Sequence, residues 1–314
     1  MNKIVFLDEY SIAGRDMSKV TKQGDYTAYE NTRKEDVVER LKGATIAISN
    51  KVMIDGEAMR QLPDLKLICV AATGMNNVDL ATAKELGIEV KNAVGYSTSA
   101  VAETTLASAL ALARHIVYFD EYFHDGRYAN ADRAFCFDRL TFEIRGKKWG
   151  IVGLGNIGRE VARLATAFGC EVRYFSTSGA KREEAYPAME LNELLEWSDI
   201  LSVHSPLNER TRGLIGRKEL KRMKPSAMII NVARGGIIDE AALAEALDNG
   251  WVSAAALDVF SVEPLRESPL YNIKDRYRLL GSPHNAWAAS EAIDRLIDCV
   301  AENIRTFLEK EKSC

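Results

Sequence analysis

The chain has no run approaching the ~20 apolar residues that cross a bilayer, so a membrane-spanning protein is not expected. Its longest apolar helical stretch, Ala100–Ile116, carries Glu103 and Arg114 and reads as a core helix. Histidine is scarce, and the five cysteines (69, 136, 170, 299, 314) are scattered. No Cys-x-x-Cys pair and no histidine at ligand spacing accompanies them, which argues against a zinc site and a disulfide framework. Cys69 and Cys170 lie in or beside strand patterns and read as small apolar core residues. There is no fixed-period repeat and no low-complexity segment. With a formal net charge of -4, bulk electrostatics give no reason to expect nucleic acid or a membrane surface as partner. The first ten residues, Met1 to Tyr10, read as a short strand followed by acids and lack the apolar length of a signal peptide. The expected location is therefore cytoplasmic.

What is present is enough for two ordinary domains: 314 residues, 47% hydrophobic and 27% charged. Strand-like runs recur at Ile4–Leu7, Thr45–Ile48, Leu67–Val70 and Ile88–Val90, with helical patterns at Glu35–Leu41, Glu57–Leu62 and Leu80–Leu86 between them. A second series starts at Lys148–Val152 and continues with Glu171–Phe175, Ile200–Val203, Ala227–Val232, Ser253–Leu257 and Arg278–Gly281. Its helices include Glu190–Trp197, Arg217–Arg222 and Glu240–Asn249. Alternating strands and helices predict parallel sheets covered on both faces. The final helical pattern, Ala288–Glu309, has no sheet of its own and is expected to return to the N-terminal domain. The fold class is thus α/β: two Rossmann-like or flavodoxin-like parallel-sheet domains, the second inserted in the first. The boundaries expected are 1–98 plus 287–314 for a substrate domain and 99–286 for a dinucleotide domain, with the active site in the cleft between them.

The second series opens on Trp-Gly-Ile-Val-Gly-Leu-Gly-Asn-Ile-Gly at 149–158, a buried-strand pattern running into a Gly-x-Gly-x-x-Gly turn. Gly153 permits the bend, Gly155 lets backbone approach a pyrophosphate, and Gly158 lets the next helix pack on the strand. That helix, Asn156 to about Phe168, aims free N–H groups and its positive dipole end at the phosphates. The strand–turn–helix–strand context is what the motif requires.

Three later segments each place an ionisable residue just past a strand end: Arg234 in 231–240, Glu263 in 256–264 and His284 in 281–287. In an open parallel sheet that edge binds ligands. Singly, each has a plain structural explanation; together they suit ketone–alcohol interconversion. Arginine offers a planar charged fork to a carboxylate and a neighbouring carbonyl oxygen. Histidine can move a proton near neutral pH. A carboxylate against its other ring nitrogen orients the imidazole and favours its charged form.

Gly-Leu-Gly-Asn-Ile-Gly, then Asn-Val-Ala-Arg-Gly-Gly-Ile-Ile-Asp-Glu, Asp-Val-Phe-x-x-Glu-Pro and Pro-His, in that order, resemble the D-isomer-specific 2-hydroxyacid dehydrogenase family. The resemblance spans essentially the whole chain, including Ala72 to Asp79 and Val101-Ala102-Glu103. Tyr96-Ser97-Thr98 and Pro-His-x-Ala-Trp-Ala are most similar to the glycerate dehydrogenase (hydroxypyruvate reductase) branch. The resemblance implies that Arg234 binds the substrate carboxylate and polarises the keto group. His284 would be the acid–base group, paired with Glu263. The N–H groups of Thr73, Gly74 and Met75 would cradle the carboxylate. Thr98, Gly153, Gly155, Asn156, Ile157, Gly158, Ser176, Thr177, Pro206, Ala233, Asp258 and His284 would line the NAD(H) or NADP(H) site, with Asp258 toward the nicotinamide carboxamide. It implies a small 2-keto or 2-hydroxy acid as substrate, hydroxypyruvate or D-glycerate first, with lactate-type and glyoxylate-reducing activities as alternatives. A dinucleotide-sensing corepressor is the alternative of another class.

One position departs from the family. Where an Asp usually accepts from the adenine ribose 2′-OH, this chain has Ser176, followed by Thr177 and soon by Lys181 and Arg182. Serine does not repel a 2′-phosphate, so NAD and NADP both stay open. The aromatic stretch 119–145, with Tyr122, Phe123, Tyr128, Phe135, Phe137 and Phe142, reads as the interface of a homodimer, which the resemblance also implies.

Overall fold

In the computed structural model, which describes residues 2–179 and 184–313, the chain divides into two compact units. One comprises Met1–Ser97 with Ala288–Cys314, the other Thr98–Trp287. The chain enters the second unit once and leaves it once, so the second is inserted in the first.

The first unit holds β1 (Lys3–Phe6), α1 (Ser18–Thr21), β2 (Asp25–Ala28), α2 (Val37–Leu41), β3 (Ile46–Ser49), α3 (Gly56–Arg60), β4 (Leu67–Val70), α4 (Leu80–Glu85) and β5 (Glu89–Asn92). The strands form one parallel sheet in the order β2-β1-β3-β4-β5. β3 and β4 are fully buried, which is why they read as unbroken apolar runs. β2 is absent from the sequence pattern because it is a partly exposed edge strand, Asp-Tyr-Thr-Ala, with no apolar run to betray it. Two of the short helices, α3 and α4, start on side-chain caps: Asp55 accepts from the Ala58 amide and Asp79 from those of Ala81 and Thr82.

The second unit begins with α5 (Thr98–Ala113) and α6 (Ile116–His124) and continues through β6 (Lys148–Val152), α7 (Asn156–Ala167), β7 (Glu171–Phe175), α8 (Leu191–Trp197), β8 (Ile200–Val203), α9 (Arg217–Leu220), β9 (Met228–Asn231), α10 (Glu240–Asn249), β10 (Ala254–Leu257) and β11 (Leu279–Gly281). These six strands are parallel in the order β11-β10-β9-β8-β6-β7. A parallel bridge from Tyr174 to Ala188 flanks β7. Counted as a strand, it produces the 3-2-1-4-5-6 order of doubly wound dinucleotide sheets, with β11 added at the far edge. Trp149, Ile151, Val161 and Ala165 pack in one core layer, and Val152, Leu201, Leu243 and Leu247 in the other.

The last helix, α11 (Ser290–Ser313), belongs to the first unit. Ala292, Leu296, Val300, Ile304 and Phe307 bury its apolar stripe, and Asn303 donates to the Asn92 carbonyl at 3.1 Å. Among the described residues no single helix is long and apolar enough to cross a membrane. The bent pair α5–α6 approaches that composition, but α5 buries Val101, Ala102, Ala109 and Leu112 in the second unit's core.

Candidate active site

The glycine turn is built as its sequence demands. Gly153 has φ +95, a conformation open to glycine, and its N–H reaches the Phe175 carbonyl at 2.9 Å. A Cβ on Gly158 would stand 2.3 Å from the Gly153 oxygen, whereas one on Gly155 would meet only open space. The tight contact lies between helix and strand, and the open side is where a phosphate approaches. Asn156 and Ile157 begin α7, so their amides have no partner within the helix.

Beside this turn is a pocket of about 190 Å³ walled by Gly153, Gly155, Ser176, Thr177, His204 and Pro206 among others. Trp149 Nε1 donates to Ser202 Oγ at 2.9 Å, and Ser202 Oγ lies 2.9 Å from His204 Nε2. Assigned from this network, Ser202 donates to Nε2 and the ring proton sits on Nδ1. Burial pushes the His204 pKa down to about 3, so the ring is neutral. Among the described residues His204 Nδ1 and Ser205 Oγ are buried without a hydrogen-bond partner. Unpaired buried polar atoms are costly, and here they border a cavity whose glycine wall admits a pyrophosphate. The residues fit the adenosine and phosphate end of a dinucleotide. Thr98 opens α5 in the same unit. Lys181 and Arg182 lie outside the described residues.

The three ionisable residues singled out in the sequence are aligned by strand register. Leu257 pairs with Asn231 on one side and Gly281 on the other, so β9, β10 and β11 end in a row. Arg234 and His284 each follow that row by three residues, and Glu263 follows Leu257 by six. His284 Nδ1 lies 2.6 Å from Glu263 Oε2. Glu263 Oε1 accepts the Phe260 N–H at 3.0 Å, which fixes the carboxylate. With Nδ1 taken up, Nε2 is the ring atom left to exchange a proton with a substrate. Among the described residues Arg234 pairs with no carboxylate; its Nη1 donates to the Ala233 carbonyl at 2.7 Å. Its other guanidinium donors remain for an anion.

Several bracing roles are not legible in the sequence. Asn231 ties the Arg234 turn from both sides, accepting the Ala233 N–H at 3.0 Å and donating to the Arg234 carbonyl at 2.9 Å. A Cβ on Gly235 would fall 1.9 Å from the Phe260 carbonyl, so this glycine lets the Arg234 loop lie against the loop bearing Glu263. Asp258 is 2% exposed and holds the His284 loop: it accepts from Ser282 Oγ at 2.6 Å and from the Asn285 and Ala286 amides at 2.8 and 2.9 Å. His284 itself has φ +58, a strained conformation that these bonds over-determine. Asn231 and Gly235 do stand in the quoted motif, but nothing local distinguishes a brace from a surface turn.

In the first unit, Thr73, Gly74 and Met75 follow β4. Among the described residues their three amides donate no hydrogen bond, and all three residues reach solvent. The loop is held by Thr73 Oγ1 on the Ala93 carbonyl at 3.0 Å and by Asn92 Nδ2 on the Thr73 carbonyl at 2.7 Å. Adjacent amides with donors to spare on a tied-down loop are the kind of group that binds an anion. The neighbouring strand end is braced by Asp8, whose buried carboxylate takes the amides of Asn50, Lys51 and Val52. Burial pushes the Asp8 pKa up, against those three donors.

Residues 106–286 match the family model for the NAD-binding domain of D-isomer-specific 2-hydroxyacid dehydrogenases. The chain belongs to that family. It is an NAD(P)-dependent oxidoreductase of the D-2-hydroxyacid dehydrogenase type. It is 39% identical to a glycerate dehydrogenase of Methylorubrum extorquens, over 98% of this chain and 96% of the relative. It is 34% identical to a hydroxypyruvate reductase of Blautia hydrogenotrophica, over 98% and 97% respectively. Among solved structures, an acyclic imino acid reductase in complex with NADPH and D-Arg superposes with a TM-score of 0.86 at 29% identity, covering 98% of this chain and 97% of that one.

Proposed function

We propose that this dehydrogenase reduces hydroxypyruvate to D-glycerate and runs the reverse oxidation with the same residues. The observation that carries the reading is the His284–Glu263 contact beyond the sheet edge that also carries Arg234. Arg234 binds the substrate carboxylate and draws electron density from the keto oxygen. The Thr73, Gly74 and Met75 amides of the first unit offer donors to a carboxylate. His284 gives its Nε2 proton to that oxygen as the carbonyl carbon becomes a carbinol, while Glu263 stabilises and orients the ring. A nicotinamide held there would supply the hydride for the keto carbon, with its oxidised form as the other product. Gly153, Gly155, Asn156, Ile157 and Thr98 serve the phosphates, with Gly158 packing the helix that presents them, Ser176, Thr177 and Pro206 serve the adenosine end, and Ala233 the nicotinamide side. Asp258 has acceptor capacity left for the carboxamide after its three internal bonds.

Hydroxypyruvate is favoured because the two relatives above are named for that pair of compounds. The test is a panel of hydroxypyruvate, glyoxylate and pyruvate, following loss of NADH and NADPH. The highest kcat/KM with hydroxypyruvate supports the assignment. A preference for glyoxylate or pyruvate moves it to those alternatives. Dinucleotide binding with no turnover on any of them favours a sensing protein instead.

Two further parts of the reading concern assembly and location. Phe123, Phe135, Phe137 and Leu140 are 63–77% exposed, which suits burial against a second copy in a homodimer. The free thiols of Cys69, Cys136, Cys170 and Cys299 suit a reducing cytoplasm.

A further inference from the structure

Position 176, where the family's usual Asp would accept from the adenine ribose, is serine, yet the pocket it lines does contain a carboxylate. Glu184, eight residues later in the chain, forms part of the same wall as Gly155, Ser176 and Thr177. Its side chain is only 11% exposed. Arg159 grips it in a two-point fork, with Nε to Oε2 at 3.0 Å and Nη2 to Oε1 at 2.5 Å. Arg159 is the fourth residue of α7, so the fork anchors the carboxylate to the helix whose first turn faces the phosphates. Among the described residues Glu184 lines the pocket and Arg159 does not. A ligand there meets the anionic partner of the pair.

We propose that Glu184, fixed by Arg159, accepts the adenosine ribose diol in place of the missing Asp and selects NADH against NADPH. A neutral diol donates to a carboxylate. A 2′-phosphate brings a second anion against that carboxylate, and like charges repel. The proposal rests on the dinucleotide site described above, which cofactor binding without substrate tests by itself.

The experiment measures NADH and NADPH dissociation constants by fluorescence without substrate. It then compares kcat/KM with both cofactors for the wild type, Glu184→Gln, Glu184→Ala and Glu184→Asp. The wild type should bind NADH at least about tenfold tighter than NADPH, as expected for a like-charge clash. Glu184→Gln and Glu184→Ala should lower that ratio about tenfold or more, chiefly by gaining NADPH, whereas Glu184→Asp keeps it. A purely structural role would weaken both cofactors alike and leave the ratio unchanged. The proposal is overturned by a wild type that prefers NADPH, or by folded variants that retain the wild-type ratio. A wild type that binds neither cofactor overturns the dinucleotide site with it.

Discussion

His284 Nδ1 lies 2.6 Å from Glu263 Oε2, and the other oxygen of that carboxylate is held by the Phe260 amide at 3.0 Å. The imidazole is therefore oriented through a carboxylate that is itself oriented by backbone, an arrangement suited to delivering one proton along one direction. Replacing His284 by Gln should lower kcat about 10²–10⁴-fold, the usual worth of a positioned acid–base group. Glu263→Gln should also reduce kcat, by about 10²-fold or more, because the ring loses both orientation and charge stabilisation. Steady-state kinetics with independent NADH titrations check both. Near-normal turnover in His284→Gln removes that residue from the proton step.

Gly235 sits where two site loops touch, its added Cβ falling 1.9 Å from the Phe260 carbonyl. Gly235→Ala should push the Arg234 loop away from the Glu263 loop. A displacement of about 1 Å costs on the order of 10²-fold in kcat/KM, and the overpacking costs about 1–3 kcal/mol of stability. Kinetics and thermal melting of the purified variant measure the two effects. Wild-type values for both would contradict the contact.

Two glycines of one motif should fail in different ways. Gly158→Ala forces a Cβ to within 2.3 Å of the Gly153 oxygen, so its melting temperature should drop even without cofactor. Gly155→Ala meets no atom of the described residues within 4 Å; it should melt like wild type yet bind NADH more weakly. Calorimetric melting and NADH titration of the two variants separate these outcomes, and identical behaviour would count against the division of labour.

His204 provides a pH dependence with a definite sign. Its pKa is pushed from 6.5 in the ordinary state down to about 3 by burial. Between those values the unfolded chain takes up a proton that the folded chain refuses, so acid favours unfolding. The stability tied to the neutral ring is complete above pH 6.5 and is lost progressively as the pH falls toward about 3. Urea unfolding across that range should show a shallower pH slope for His204→Gln than for wild type. Equal slopes would show that the ring titrates normally.

The exposed rings of Phe135 and Phe137, 77% and 75% accessible, are the most direct handle on assembly. The double variant Phe135→Ser, Phe137→Ser should run as a monomer in light scattering where the wild type runs as a dimer. A monomeric wild type at assay concentration would remove the dimer.

Much of this arrangement is visible in the chain before folding. The apolar runs of β3, β4, β6, β8 and β9 are buried on both faces, and burial on both faces is what makes a strand conspicuous. β2 is invisible for the converse reason: at the edge, Asp25 and Thr27 carry no penalty. The site shows the same split. Arg234, Glu263 and His284 stand out because each is a charged or titratable residue just past an apolar strand, and strand ends in parallel sheets converge on one edge.

By itself the sequence determined the alternation of strands and helices, the glycine turn and the three ionisable residues just past strand ends, because periodicity, backbone freedom and side-chain chemistry are local properties. Only tertiary structure decided what those residues touch. Asp258 spends its carboxylate on the loop of His284, and Gly235 meets Phe260 across 25 residues of chain. Glu184 comes to wall the pocket that Ser176 leaves without its acid. Such pairs are set by strand register and loop path, and residues far apart along the chain carry no mark of which neighbour the fold will bring.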